Sequence, residues 1–220
     1  MNYSKPDFIN GKHYYRIPEE AYELSNIDRS ITHYPISVES LREIIYKSIG
    51  EDTDTDIKSI YGKINYLIAG KLEHLLYTLG IISEQAINAF INENDGNISF
   101  SQGSPGKDEA DIHCLSDKCF SIELKTKRHY SVKESKPSIT GNRAYCDKQD
   151  KPIKKTKNHF YILINYDFNL YKRVDYKIRR FRAWFGYIKQ SDWEDGSNGS
   201  GASTLMINNE DLQKRLIEIV

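Results

Sequence analysis

Apolar positions recur at helical spacing from Asp56 onward: Ile57, Ile60, Ile64, Leu67/Ile68, Leu72, Leu75 and Leu79, with Gly80 as a stop. Residues three and four apart share one side of a helix, so this run predicts a long amphipathic helix. Residues 37–48 predict a second helix, capped by Ser37, with Leu41, Ile44 and Ile45 on its apolar side. Residues 83–92 continue as helix behind Ser83, and 210–220 predict a terminal helix through Leu212, Leu216 and Ile219. The period changes to two over residues 111–125, the signature of strands. Residues 159–166 form an almost unbroken apolar run, a buried strand, and 173–189 predict one or two more strands dense in cations and aromatics. Residues 1–35, with Pro6, Pro18 and Pro35, predict an irregular arm with one short helix near 19–24. Residues 51–56 read as an acidic link, and 94–106 and 196–202 as loops. Residues 127–158 are polar, basic and aromatic without a core pattern, and are long enough for a functional excursion rather than a connector. No internal repeat is visible.

The alternating stretch reads Asp-Ile-His-Cys-Leu-Ser-Asp-Lys-Cys-Phe-Ser-Ile-Glu-Leu-Lys. With a three-residue turn at 116–118, Leu115 faces Cys119 and Asp111 faces Glu123. One face then carries Asp111, His113, Ser121, Glu123 and Lys125; the other carries Ile112, Cys114, Phe120, Ile122 and Leu124. Opposed residues have Cβ atoms roughly 4.5–5.5 Å apart. Two carboxylates at that distance repel, and a divalent cation removes the conflict. Lys125 stands on the same face, pointing at whatever the metal holds. A slip of one residue would split the set. Acids and a lysine on one hairpin face are ordinarily just a solvated surface. The charge distribution and the preceding helix weigh against that here, because Glu73 lies beside the helix's apolar stripe and so looks toward the sheet.

A chain of 220 residues is long enough for a sizeable core and predicts one α/β or α+β domain. Charged residues are 28%, yet 12% are aromatic with 16 Tyr, which argues against disorder. No apolar run approaches the ~20 residues of a membrane span. The opening Met1-Asn2-Tyr3-Ser4-Lys5-Pro6 lacks an apolar signal core, so a soluble cytoplasmic protein is expected. Three cysteines, an odd number, suit a reducing compartment and predict free thiols, since one Cys-x4-Cys with scattered histidines makes a weak zinc site. The net charge of zero hides an asymmetry. Residues 123–189 carry 18 Lys/Arg against 6 Asp/Glu, a balance of +12, while 1–122 stand at −8 (11 against 19) and 190–220 at −4 (2 against 6). A single basic block starting at the Glu123-Leu124-Lys125 strand suits a polyanion, whose phosphates would supply salt-dependent affinity.

Asp111 followed after a short hairpin by Glu123-Leu124-Lys125 resembles the active-site signature of the PD-(D/E)XK nucleases. In that superfamily an upstream helix often lends a glutamate, and Glu73, after Ala69-Gly70-Lys71-Leu72, stands where it is expected. Arg182-Ala183-Trp184-Phe185-Gly186-Tyr187-Ile188-Lys189-Gln190-Ser191-Asp192-Trp193 and the small-residue loop after it are similar to a segment of some small type II restriction endonucleases. The likeness covers roughly residues 65–205 and is nearest to the blunt-cutting, EcoRV-like branch. It departs from the pattern at Ala110, where a proline is usual, so Asp108 or Glu109 competes with Asp111. Asp111 is preferred because it pairs in register with Glu123, whereas Asp108 lies in the glycine/proline loop.

The resemblance implies a restriction-endonuclease-like core: a central mixed sheet flanked by helices, forming one nuclease domain over 1–220. Within it, 1–55 would be an arm and helix, 56–193 the catalytic core with a DNA-reading insertion at about 127–158, and 194–220 a terminal loop and helix. It implies a Mg2+-dependent endonuclease, with Asp111, Glu123 and the Leu124 carbonyl as metal ligands, Lys125 at the attacking water and scissile phosphate, and Glu73 as an auxiliary acid. Products would carry 5′-phosphate and 3′-hydroxyl ends. The partners implied are double-stranded DNA, a second copy in a homodimer matched to a palindrome, and a cognate DNA methyltransferase. The narrower likeness, to an octanucleotide cutter, implies an A/T-only palindrome cut at its centre. Base readers are expected in the basic middle: Asn142, Arg143, Tyr145, Lys148 and Gln149, with Lys154, Lys155 and Lys157 on phosphate. A structure-selective repair nuclease and a non-catalytic DNA-binding module are the other two readings.

Overall fold

The computed structural model describes residues 3–49, 55–56, 100–102, 110–115, 117–128, 136–137, 140–142, 144–146, 152–153, 159–168, 177–192, 194–196, 204–206 and 209–220. The expected helices at 57–79 and 83–92, Glu73, Asp108 and Glu109 lie outside them.

A hairpin opens the described chain. Strands β1 (Asp7–Ile9) and β2 (Lys12–Tyr14) pair antiparallel with Ile9 opposite Lys12. The two turn residues, Asn10 and Gly11, have φ of 50° and 84°. That left-handed pair is what an Asn-Gly two-residue turn requires. The irregular arm expected for 1–35 is corrected here: Asn-Gly was a readable hairpin signal. Helix α1 (Glu19–Ser25) follows Pro18, carries Glu19 and Glu20 in its first turn, and ends at Asn26 with φ 54°. Acids at the start and a left-handed residue at the end suit the exposed N–H and C=O groups there. Helix α2 (Val38–Ile49) has the expected cap, the Ser37 hydroxyl accepting the Ser40 N–H at 3.2 Å. Leu41 and Ile45 are fully buried.

The central sheet is mixed. Its further strands are β3 (Thr55–Asp56), β4 (Phe100–Gln102), β5 (Ile112–Cys114), β6 (Ile122–Arg128), β10 (His159–Phe168), β11 (Lys177–Ile188) and β14 (Leu216–Glu218). Between β6 and β10 lie β7 (Thr140–Asn142), β8 (Ala144–Cys146) and β9 (Pro152–Ile153); β12 (Glu194–Gly196) and β13 (Thr204–Met206) follow β11. The order is β14-β11-β10-β6-β5-β4, with β3 also on β11. β6 and β10 run parallel; the other pairs are antiparallel. A parallel pair needs a long crossover, and the basic segment 129–158 supplies it. Part of that segment joins a small sheet, β12-β13-β7, and β8 pairs with β9. The expected strands at 173–189 resolve into one, β11, and the acidic link ends in β3.

Alternation sends β10 and β11 side chains into two cores. On one face Phe160, Ile162, Ile164, Phe181, Ala183, Phe185 and Tyr187 pack against the first 45 residues. Phe160 and Phe185 stack at 5.8 Å, and the buried Tyr34 ring lies 4.6 Å from each. Tyr15, also buried, donates its hydroxyl to the Arg215 carbonyl at 2.9 Å and accepts the Tyr187 N–H at 3.0 Å. Tyr34 donates to the Phe120 carbonyl at 2.7 Å. Each buried hydroxyl is thus partnered, and its ring adds apolar burial without an unsatisfied polar atom. On the other face Tyr161, Leu163, Trp184 and Ile188 meet Leu212 and Leu216.

The expected terminal helix is corrected. Helix α3 (Asn209–Arg215) stops, and β14 adds to the edge of β11. Leu216 enters one core and Ile217 the other, an alternation only a strand provides. Gly186 makes room for it, since a Cβ there would lie 2.4 Å from the Arg215 carbonyl oxygen and 2.8 Å from Leu216 Cδ2. Among the described residues no helix is long and apolar enough to cross a membrane.

Candidate active site

β5 and β6 meet at Ile112 opposite Ile122, which is the expected register. The expected turn at 116–118 is corrected: the connection includes a 3-10 turn, Lys118–Phe120. Asp117 builds it, its carboxylate accepting the Cys119 N–H at 2.9 Å and its carbonyl the Phe120 N–H at 3.0 Å. Ser121 is turned inward, against the expected face, and its hydroxyl accepts the Cys114 N–H at 3.1 Å. Ile112, Cys114, Phe120, Ile122 and Leu124 are buried as the alternation required, while Asp111, His113, Glu123 and Lys125 are half-exposed.

Past Ile112 the ladder gives way to side chains. Asp111 Oδ2 accepts the Leu124 N–H at 2.9 Å, and Glu123 Oε2 accepts the Asp111 N–H at 3.3 Å. These reciprocal bonds hold both carboxylates at one edge of β6. Lys125 Nζ bonds Glu123 Oε1 and lies 3.7 Å from Asp111 Oδ2. The three residues singled out from sequence therefore form one cluster. Burial pushes the Asp111 carboxyl above its ordinary value; the Lys125 ammonium opposes that shift and the Glu123 charge adds to it.

The cluster shares a face with the α3 side of the sheet. In the parallel register Glu123 lies beside Tyr161 and Lys125 beside Leu163. The next position pairs Asn165 with Lys127. Asn165 is fully buried and is the one amide in the apolar run 159–166.

The Asp111 and Glu123 carboxylates are hard oxygen donors of the kind Mg2+ takes. Among the described residues no group of three or more His, Cys, Asp or Glu converges. A carbonyl and waters would have to complete the shell, and Glu73 lies outside the described residues. Of the expected DNA readers, Asn142 is in β7 and Tyr145 in β8, while Arg143, Lys148, Gln149, Lys154, Lys155 and Lys157 lie outside the described residues. Cys114 and Cys119 are free thiols, as expected.

Among solved structures, the restriction endonuclease BglI bound to its DNA recognition sequence is similar at a TM-score of 0.43 and 10% identity, over 83% of this chain and 88% of that one. No curated protein matches. The model of the ScaI restriction endonuclease family matches residues 14–220, nearly the whole chain. The chain that brings Asp111, Glu123 and Lys125 together thus belongs to the ScaI restriction endonuclease family.

Proposed function

We propose that the protein is a type II restriction endonuclease that hydrolyses phosphodiester bonds of double-stranded DNA at a short palindromic site, leaving blunt ends. The carrying observation is the reciprocal bonding of Asp111 and Glu123, with the Lys125 ammonium against both. Asp111, Glu123 and the Leu124 carbonyl would hold Mg2+, with Glu73 as an auxiliary acid. The ion, when bound, supplies charge neutralisation and Lewis acidity at the scissile phosphate. The chain's own groups do the rest. The bonds to the Leu124 and Asp111 N–H groups fix both carboxylates before DNA arrives. Lys125, in place as a cation between two acids, orients the attacking water and stabilises charge on the phosphate. The basic block over 123–189 holds the backbone, with Asn142, Arg143, Tyr145, Lys148 and Gln149 toward bases and Lys154, Lys155 and Lys157 toward phosphates. A homodimer would place one such site on each strand of a twofold sequence, in the cytoplasm and beside a methyltransferase that protects host sites. Incubation with Mg2+ and a long genomic DNA tests the proposal. Discrete bands, absent with EDTA, are expected. A smear would point to a nonspecific or structure-selective nuclease, and retention of DNA without cutting to a binding module.

A further inference from the structure

From the surroundings of Asn165 we infer that this residue positions the basic crossover, through Lys136, on the sheet face that carries the proposed cleavage site. The inference rests on the proposed active site. Asn165 lies on β10, on the face that carries Glu123 and Lys125, one register step beyond Lys125. Its side chain is completely buried. Nδ2 donates to the Lys136 carbonyl at 3.1 Å, and Oδ1 has no hydrogen-bond partner among the described residues.

That half-satisfied amide is informative. An Asn kept for stability would satisfy both ends, because a buried acceptor without a donor is a net cost. This one uses its donor on the backbone of another segment, and no described residue donates to its acceptor. The segment held is the basic crossover between β6 and β10. Pro137, next to the anchored carbonyl, is itself buried. A few residues on, the chain enters β7 of the small sheet. Asn165 therefore ties the crossover at Lys136 to the face of the central sheet that carries Glu123 and Lys125, before the chain enters β7 of a second sheet. A proline after the anchored carbonyl restricts the backbone there, so a single hydrogen bond fixes direction as well as place. Asn165 touches no reacting atom in this arrangement; it acts through Lys136.

The role predicts a split between binding and chemistry. Asn165→Leu removes the tether and the acceptor together. In the full chain, with Mg2+ and a duplex carrying the site found by genomic digestion, KM should rise about tenfold and kcat fall less than threefold. Tm should stay level or increase. Asn165→Ala removes donor and acceptor in a smaller side chain, should raise KM likewise, and decides the matter if the leucine is too bulky to fold. Should neither fold, hydrogen exchange over residues 130–142 of the wild type should slow when the duplex is added. An unchanged KM in a folded variant, a kcat loss equal to the KM rise, or exchange indifferent to DNA would each overturn the inference. Asp111→Asn run in parallel separates the two readings. Cutting by that variant sinks the active-site proposal, whereas loss of cutting there with an unchanged KM at Asn165→Leu sinks this one alone.

Discussion

Asp111 is the residue on which the proposed chemistry turns. Its carboxylate holds the Leu124 N–H, and asparagine keeps an oxygen for that bond, so Asp111→Asn should fold. Expected cleavage is below ~10⁻³ of wild type, the scale of removing a group that stabilises the reacting charge, with DNA retention unchanged in gel shift. Cutting at near-normal rate would rule the residue out. Cys119 shows how local surroundings silence a chemical group. Burial and the neighbouring Asp117 push its thiol up to about 11, and the thiol donates to the Ser25 carbonyl at 2.8 Å. Only the thiolate is nucleophilic. Iodoacetamide at pH 7.5 should therefore modify the Cys119 peptide about three-hundredfold more slowly than a free cysteine of pKa about 8.5, as mapped by mass spectrometry.

At the scale of elements, the contact of β14 with β11 is the most demanding. A methyl at position 186 would meet a backbone carbonyl, which has no rotamer to move. Gly186→Ala should cost about 3 kcal/mol, the upper end of overpacking effects, and lower the urea midpoint accordingly. A midpoint equal to wild type would mean that β14 sits elsewhere. The β1–β2 hairpin is tied to its surroundings by Asp7, which accepts from Arg16 at 2.7 Å and meets His33 at 2.8 Å. The Arg16 bond first, then His33, hold its carboxyl below the ordinary value. A depressed carboxylate contributes stability above its unfolded pKa, about 3.8, and loses it as pH falls through the lower folded value. Asp7→Asn should thus flatten part of the stability loss as pH falls below about 3.8, by less than about 1 kcal/mol because the pair is near the surface. Equal slopes for variant and wild type would remove Asp7 from acid unfolding.

For the whole molecule, charge and symmetry decide. The +12 balance over 123–189 predicts steep salt dependence. If six or more phosphates are neutralised, affinity should fall about a thousandfold between 50 and 200 mM salt. A flat response in filter binding would argue that the block faces its own acids instead. Light scattering should give twice the chain mass if the homodimer holds.

Alternation over 111–125 was enough to place Asp111, Glu123 and Lys125 together, because a strand's period of two fixes faces without reference to the rest of the fold. The apolar run at 159–166 and the serine cap of α2 were legible for the same local reason. The Asn10-Gly11 hairpin was equally local and was there to be read. Other features depend on partners far along the chain. Leu212, Leu216 and Ile219 fit one helix face as well as a helix followed by a strand, and only the open edge of β11 chose between them. Nothing local marks Tyr15 and Tyr34 as core residues; the carbonyls of Arg215 and Phe120, far along the chain, satisfy their hydroxyls and let both rings be buried. Asn165 is the same case: an amide in an apolar strand has no evident purpose until the Lys136 carbonyl is beside it. Local periodicity fixes which way a side chain faces, and long-range packing decides what it meets there.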